Sequence, residues 1–88
     1  MVELVVVQPI YPARPLARGI EGFADVQYTV TPAGGTADFQ IVSADPPRIF
    51  DKAAMQAASR MEYRPKLLNA TAVAVSGVVK RFRFEIED

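Results

Sequence analysis

The sequence predicts an α+β fold: a three-stranded, mostly antiparallel sheet with one main helix packed on it (β-β-α-β), preceded by a short N-terminal helical turn. Three observations carry that expectation. Residues 23–31 and 36–43 alternate apolar and polar side chains on either side of a glycine-containing turn, which is the pattern of a β-hairpin. Residues 50–61 set Phe50, Ala54, Ala57, Ala58 and Met61 along one helical face. Residues 78–86 alternate again, with Val78, Phe82, Phe84 and Ile86 on one face, interrupted by Lys80, and Val79, Arg81, Arg83 and Glu85 on the other. Each element is apolar on one side, so all three bury that side together by laying the helix across the sheet.

Composition narrows the function classes. A chain of 88 residues makes one domain, and half of its residues are apolar. Ten Lys and Arg balance ten Asp and Glu, so no net field favours nucleic acid or an anionic membrane, and nucleic acid is not an expected partner. Histidine and cysteine are both absent, which removes the commonest general base, the commonest metal ligand and thiolate chemistry. No apolar run approaches the ~20 residues that a membrane-spanning helix needs.

Taken in order, the chain divides into an N-terminal arm, residues 1–18, and a domain over residues 19–88. Residues 1–8 are extended in pattern, either an additional strand or a mobile arm. Pro9, Pro12 and Pro15 then exclude a strand interior or a long helix, because proline lacks the backbone donor and holds its predecessor extended. A short helix over residues 12–17 is still allowed, with Pro12 in its first turn and Gly19 and Gly22 ending it. In the next segment Ala24, Val26, Tyr28 and Val30 share the apolar face of a strand, and residues 32–35 (Pro-Ala-Gly-Gly) supply the turn. Residues 45–47 (Asp-Pro-Pro) end the second strand. Asp51 is read as the helix N-cap, with Phe50 and Met55 as a hydrophobic staple and Arg60 near the negative end of the helix dipole. Residues 63–65 (Tyr-Arg-Pro) terminate the helix. Residues 66–77 are read as a long loop with room for an extended piece at 73–75, and the final strand follows.

Catalytic chemistry finds no footing in this set. The carboxylates are scattered over polar faces and loops, and no pair has the spacing of an acid/base site. Ser43, Ser59 and Ser76 have no histidine to activate them, and Gly34-Gly35 lacks the pattern of a phosphate loop. No cofactor and no metal is expected, and the chain is not read as an enzyme. The basic residues Lys80, Arg81 and Arg83 fit edge-strand protection or partner contact better than phosphate binding. Tyr11 stands between prolines, either plugged onto the sheet or exposed as a contact.

Several segments taken together resemble the C-terminal domain of TonB, the energy-transducer family of Gram-negative bacteria. They are Gln8-Pro9-x-Tyr11-Pro12, Gly19-Ile20-Glu21-Gly22, Thr31-Pro32-x-Gly34, Ser43-Ala44-x-Pro46, Phe50, Tyr63-x-Pro65 and Phe82-x-Phe84-x-Ile86. The resemblance runs from Gln8 to Ile86 and agrees with the element order above. Two positions depart from the family pattern, Met61 where a tryptophan is usual and Ser59 where an arginine is usual. Methionine is flexible and apolar enough to fill such a core position. Residues 66–77 also make a longer loop than in the enteric members.

The resemblance implies the receptor-binding domain of an inner-membrane-anchored, periplasmic transducer whose anchor and proline-rich linker are not among these residues. It implies that ExbB and ExbD act through those other regions, drawing on the proton-motive force. It further implies that the domain grips the TonB box of outer-membrane receptors for siderophores, haem or cobalamin by strand addition. The expected contacts are Gln8, Pro9, Tyr11 and Pro12 with Lys80, Arg81, Phe82, Arg83, Phe84, Glu85 and Ile86. A bare edge on the last strand also suits a homodimer paired or swapped through that edge, unless residues 1–7 fold back and shield it. The alternative is a TolA-like periplasmic bridging domain.

Overall fold

The strand at Gly22–Val30 sits at the centre of the sheet because its alternation is the cleanest in the chain. Ala24, Val26, Tyr28 and Val30 are all buried, while Asp25, Gln27 and Thr29 face the other way. In this computed structural model residues 1–87 are described; residue 88, the last of the expected 19–88 domain, lies outside them. The elements are β1 (Glu3–Val5), α1 (Ala13–Ala17), β2 (Gly22–Val30), β3 (Thr36–Asp45), α2 (Asp51–Ser59), β4 (Glu62–Tyr63), β5 (Lys66–Leu68), β6 (Thr71–Val73) and β7 (Val75–Phe84). The main sheet has three antiparallel strands in the order β3-β2-β7, as expected. Four short strands make two further ribbons, β1 with β4 and β5 with β6.

The β2–β3 hairpin closes as its turn chemistry requires. The Thr31 amide donates to the Gly35 carbonyl at 2.9 Å, and the Gly34 amide to the Thr31 carbonyl at 2.9 Å. Gly34 has φ +92°, a conformation that costs glycine little and other residues more. Its neighbourhood adds a second demand. A Cβ there would lie 2.2 Å from the Tyr63 carbonyl oxygen, and the Tyr63 amide donates to the Gly34 carbonyl at 2.8 Å. The hairpin tip is thereby docked onto β4.

Helix α2 presents Ala54, Ala57 and Ala58 to β2 and β3, with Phe50 and Met61 buried at its two ends. Small alanines let the helix lie close to the sheet, and Met61 fills the core position where the family pattern has tryptophan. Two boundaries differ from the sequence reading. Phe50 is the N-cap and Asp51 the first helical residue, with no side-chain capping bond and one buried carboxylate oxygen lacking a partner. The Phe50 ring is drawn into the core, and this pulls the helix start one residue back. The helix also ends at Ser59, with Arg60 as C-cap, because Met61 and Tyr63 are turned inward and residues 62–63 become β4. The short helix α1 ends as anticipated: Gly19 takes φ +68° and the Ile20 amide reaches the Pro15 carbonyl at 2.9 Å, a Schellman closure.

Residues 66–77, expected to be a loop, instead form the β5–β6 ribbon and the start of β7. The ribbon turns at Asn69 and Ala70 with φ of 51° and 65°, the geometry of a two-residue hairpin that usually advertises itself as Asn-Gly. Gly77 has φ +71° and lies in a bulge of β7, where Ser76 and Gly77 together oppose Thr29.

Candidate partner-binding edge

β7 pairs with β2 along one side, from Gly22 opposite Phe84 to Val30 opposite Val75. Among the described residues no strand pairs with its other side. A ten-residue strand therefore presents one free row of backbone donors and acceptors. The strand begins at Val75 and ends at Phe84, so two of the expected contact residues, Glu85 and Ile86, lie just beyond it. The Ile86 amide donates to the Glu21 carboxylate at 2.7 Å, which holds this extension against the start of β2.

The side chains of β7 divide between its two faces. Phe82 and Phe84 are buried and face the core. Phe84 stacks on Phe50 with ring centroids 4.3 Å apart and 9° between planes. Such a pair adds about 0.5–1.5 kcal/mol beyond the area it buries. Tyr11 stands edge-on to both rings, at 5.7 Å from each, and its hydroxyl donates to the Ile20 carbonyl. Of the two sequence readings of Tyr11 the structure takes the plug. Burial and the nearby Glu21 carboxylate push its phenol above the usual value.

These contacts bring Tyr11 to the core-facing side of β7. Gln8 is exposed, Pro9 half-buried, and Pro12 is the extended N-cap of α1. The arm does fold back, but onto β4 rather than along β7: Glu3 pairs with Tyr63 and Val5 with Glu62. It touches β7 through a side chain, since Lys80 Nζ lies 3.1 Å from the Glu3 carboxylate.

On the opposite, helix-free face, Arg81 forms a two-pronged bond to Asp25 of β2, Nε to Oδ1 at 2.8 Å and Nη2 to Oδ2 at 3.0 Å. Its guanidinium carbon also lies 3.8 Å from the centre of the Phe23 ring. The hydrogen bonds from Arg81 hold the Asp25 carboxyl below the ordinary carboxylate value, against a smaller opposing effect of burial. In return the Arg81 guanidinium is raised further. Arg83 and Glu85 are exposed, and with Glu21, Gly22, Phe23 and Ile86 they border a cleft of about 490 Å³ beyond the end of β7. No group of three or more potential metal ligands occurs among the described residues.

Sequence reasoning missed three participants: Asp25, Phe23 and Glu3. Asp25 and Phe23 are ordinary strand positions in the sequence, and only the β2–β7 register makes them neighbours of Arg81. Glu3 required knowing that the arm returns to β4.

The molecule is thus a small α+β domain whose last strand presents one free edge among the described residues and whose open face is polar. The chain belongs to the TonB C-terminal family: the family model described as "Gram-negative bacterial TonB protein C-terminal" matches residues 7–86. Protein TonB of Pseudomonas aeruginosa is 37% identical over 79 residues, 90% of this chain and 23% of that protein. Protein TonB of Escherichia coli K12 is 38% identical over 79 residues, 90% of this chain and 30% of that protein. The chain thus spans less than a third of these relatives. The solution NMR structure of the Pseudomonas aeruginosa TonB CTD superposes with a TM-score of 0.81 at 35% identity, covering 98% of this chain and 86% of that one. The TonB2 protein of Vibrio anguillarum gives 0.73 at 34% identity, covering all of this chain and 83% of that one.

Proposed function

We propose that this chain is the receptor-binding domain of a TonB-type energy transducer and that it works in the periplasm. Its ligand would be the TonB box of outer-membrane receptors for siderophores, haem or cobalamin, added as a strand to the free side of β7. One observation carries this reading: β7 is long, bonded on one side only among the described residues, and held by buried rings on its inner face. Backbone pairing supplies affinity that tolerates varied box sequences, and side chains beside the edge set the register. That suits one transducer serving many receptors. ExbB and ExbD would act through regions of the protein other than these residues.

A ladder of six or seven residues buries little area, so roughly micromolar affinity and fast release are expected. A strand drawn along its length loads all ladder bonds together, so a weak complex can still transmit force. A pulling experiment in which the pair parts at negligible load would sink that last point. The main test is an NMR titration of labelled domain with TonB-box peptides. Shifts concentrated in residues 75–86 and 8–12 support the reading. No response to any box peptide would overturn it in favour of a TolA-like bridging role. The same edge would support pairing between two copies, which sedimentation at several concentrations reads directly.

A further inference from the structure

Arg81 was expected from the sequence to touch the partner, yet its side chain is already engaged within the domain. Asp25 and Arg81 are direct cross-strand partners in the β2–β7 register, and Phe23 is the diagonal neighbour on the same face. The guanidinium therefore has two nitrogens on one carboxylate and its flat face on a ring. That uses both the fork and the plane that distinguish arginine from lysine. Asp25 is the only charged residue buried among those described, 9% exposed, so its charge is not spread into solvent but directed at Arg81. Lys80, the preceding residue, points to the opposite face and is tied to Glu3 of the arm. The midpoint of β7 is thus fastened on both faces by side chains, which leaves its backbone edge as the free feature.

We infer that Phe23, Asp25 and Arg81 form a clamp that positions β7 for strand addition, so that Arg81 acts as a positioning residue and not as a partner contact. The inference rests on the edge-docking reading of β7. A strand that accepts another backbone must offer its donors and acceptors at one twist and one register. Any freedom β7 has relative to β2 must be lost when the partner docks, and that loss lowers affinity. The core face of β7 is held through Phe84, which stacks on Phe50 at the start of α2 and meets Tyr11 edge-on, and the clamp adds a second hold on the open face.

The test measures a synthetic TonB-box peptide by fluorescence anisotropy against the wild-type domain, Arg81→Met, Asp25→Ala and the double variant. NMR shifts locate the peptide, and a thermal melt confirms that each variant is folded at the assay temperature. Each single change is expected to weaken binding about fivefold, and the double change no more than either single one, because the residues act as one unit. Arg81→Lys, which keeps the charge but loses the fork, should fall between wild type and Arg81→Met. Amide exchange in β7 should quicken in parallel with the loss of affinity. Should Arg81→Met fail to fold, Phe23→Leu removes only the stacked face and carries the same expectation. If Asp25→Ala binds like wild type while Arg81→Met does not, Arg81 touches the peptide and the clamp is refuted. Wild-type affinity in both single variants refutes it too. A wild-type domain that binds no box peptide, or binds one away from β7, overturns the docking reading together with this one.

Discussion

Replacing Gly34 by alanine tests the contact that ties the β2–β3 hairpin tip to the rest of the domain. The residue sits at φ +92°, and its added Cβ would stand 2.2 Å from the Tyr63 carbonyl oxygen and 3.3 Å from the carbonyl carbon. Both atoms are backbone, so the clash cannot be relieved by a rotamer change. A Cβ in the left-handed region costs about 1–2 kcal/mol by itself. Moving β4 away then strains the Tyr63–Gly34 backbone bond and the contact between the Tyr28 and Tyr63 hydroxyls, at about 1 kcal/mol each. A total near 3 kcal/mol is a large share of the roughly 4–13 kcal/mol expected for a domain of this size. The matching control is Gly19→Ala, where φ is +68° but nothing lies within 4 Å of the new Cβ. It should show the backbone cost alone. Urea unfolding followed by circular dichroism reads both, with the midpoint falling much further for Gly34→Ala at an unchanged slope. Equal losses for the two variants would refute the argument that the Gly34–Tyr63 approach is what holds the hairpin tip in place.

Three further expectations follow from the same geometry. The Tyr28 and Tyr63 hydroxyls bond each other at 2.5 Å within the core, so Tyr28→Phe or Tyr63→Phe should each cost about 1–2 kcal/mol by orphaning the other, while the double change costs less than the two singles added. A double-mutant cycle in urea checks this, and additivity counts against it. Ala70 carries φ +65° at the β5–β6 turn, so Ala70→Gly should raise stability by up to about 1 kcal/mol in the same assay. The Asp25 carboxyl is held below its ordinary value of 3.8 by Arg81, so its contribution is complete above that pH and is lost as pH falls through the lowered folded-state value. Comparing wild type with Asp25→Asn across acid pH, the stability gap should close on the acid side; a constant gap would contradict the pairing.

Much of this architecture was legible in the sequence because it depends on patterns within single segments. The alternation at 23–31 and 36–43, the alanine face of α2 and the Pro32–Gly35 turn each state a local preference that the packed domain also satisfies. The resemblance to the TonB family could be read for the same reason, since it lies in turn and proline positions that keep their spacing. The candidate edge was half legible. The sequence offered a final alternating strand with a bare edge but left open whether residues 1–7 fold back to shield it.

What the sequence left open depends on pairs of residues far apart in the chain. Residues 2–5 could not be placed, because their backbone pairing is with residues 62–64, some sixty positions on. The β5–β6 ribbon was hidden because Asn69-Ala70 lacks the glycine that marks such turns. Asp51 looked like a cap until burial of the Phe50 ring took that role from it. Arg81 is the clearest case. Read along the chain it is one of a short basic group with Lys80 and Arg83; the β2–β7 register sets it across from Asp25 and beside Phe23, where its charge is paired within the domain. Local preference chose the strands and the helix, whereas long-range burial and cross-strand pairing chose which of their polar residues remain free to meet a partner.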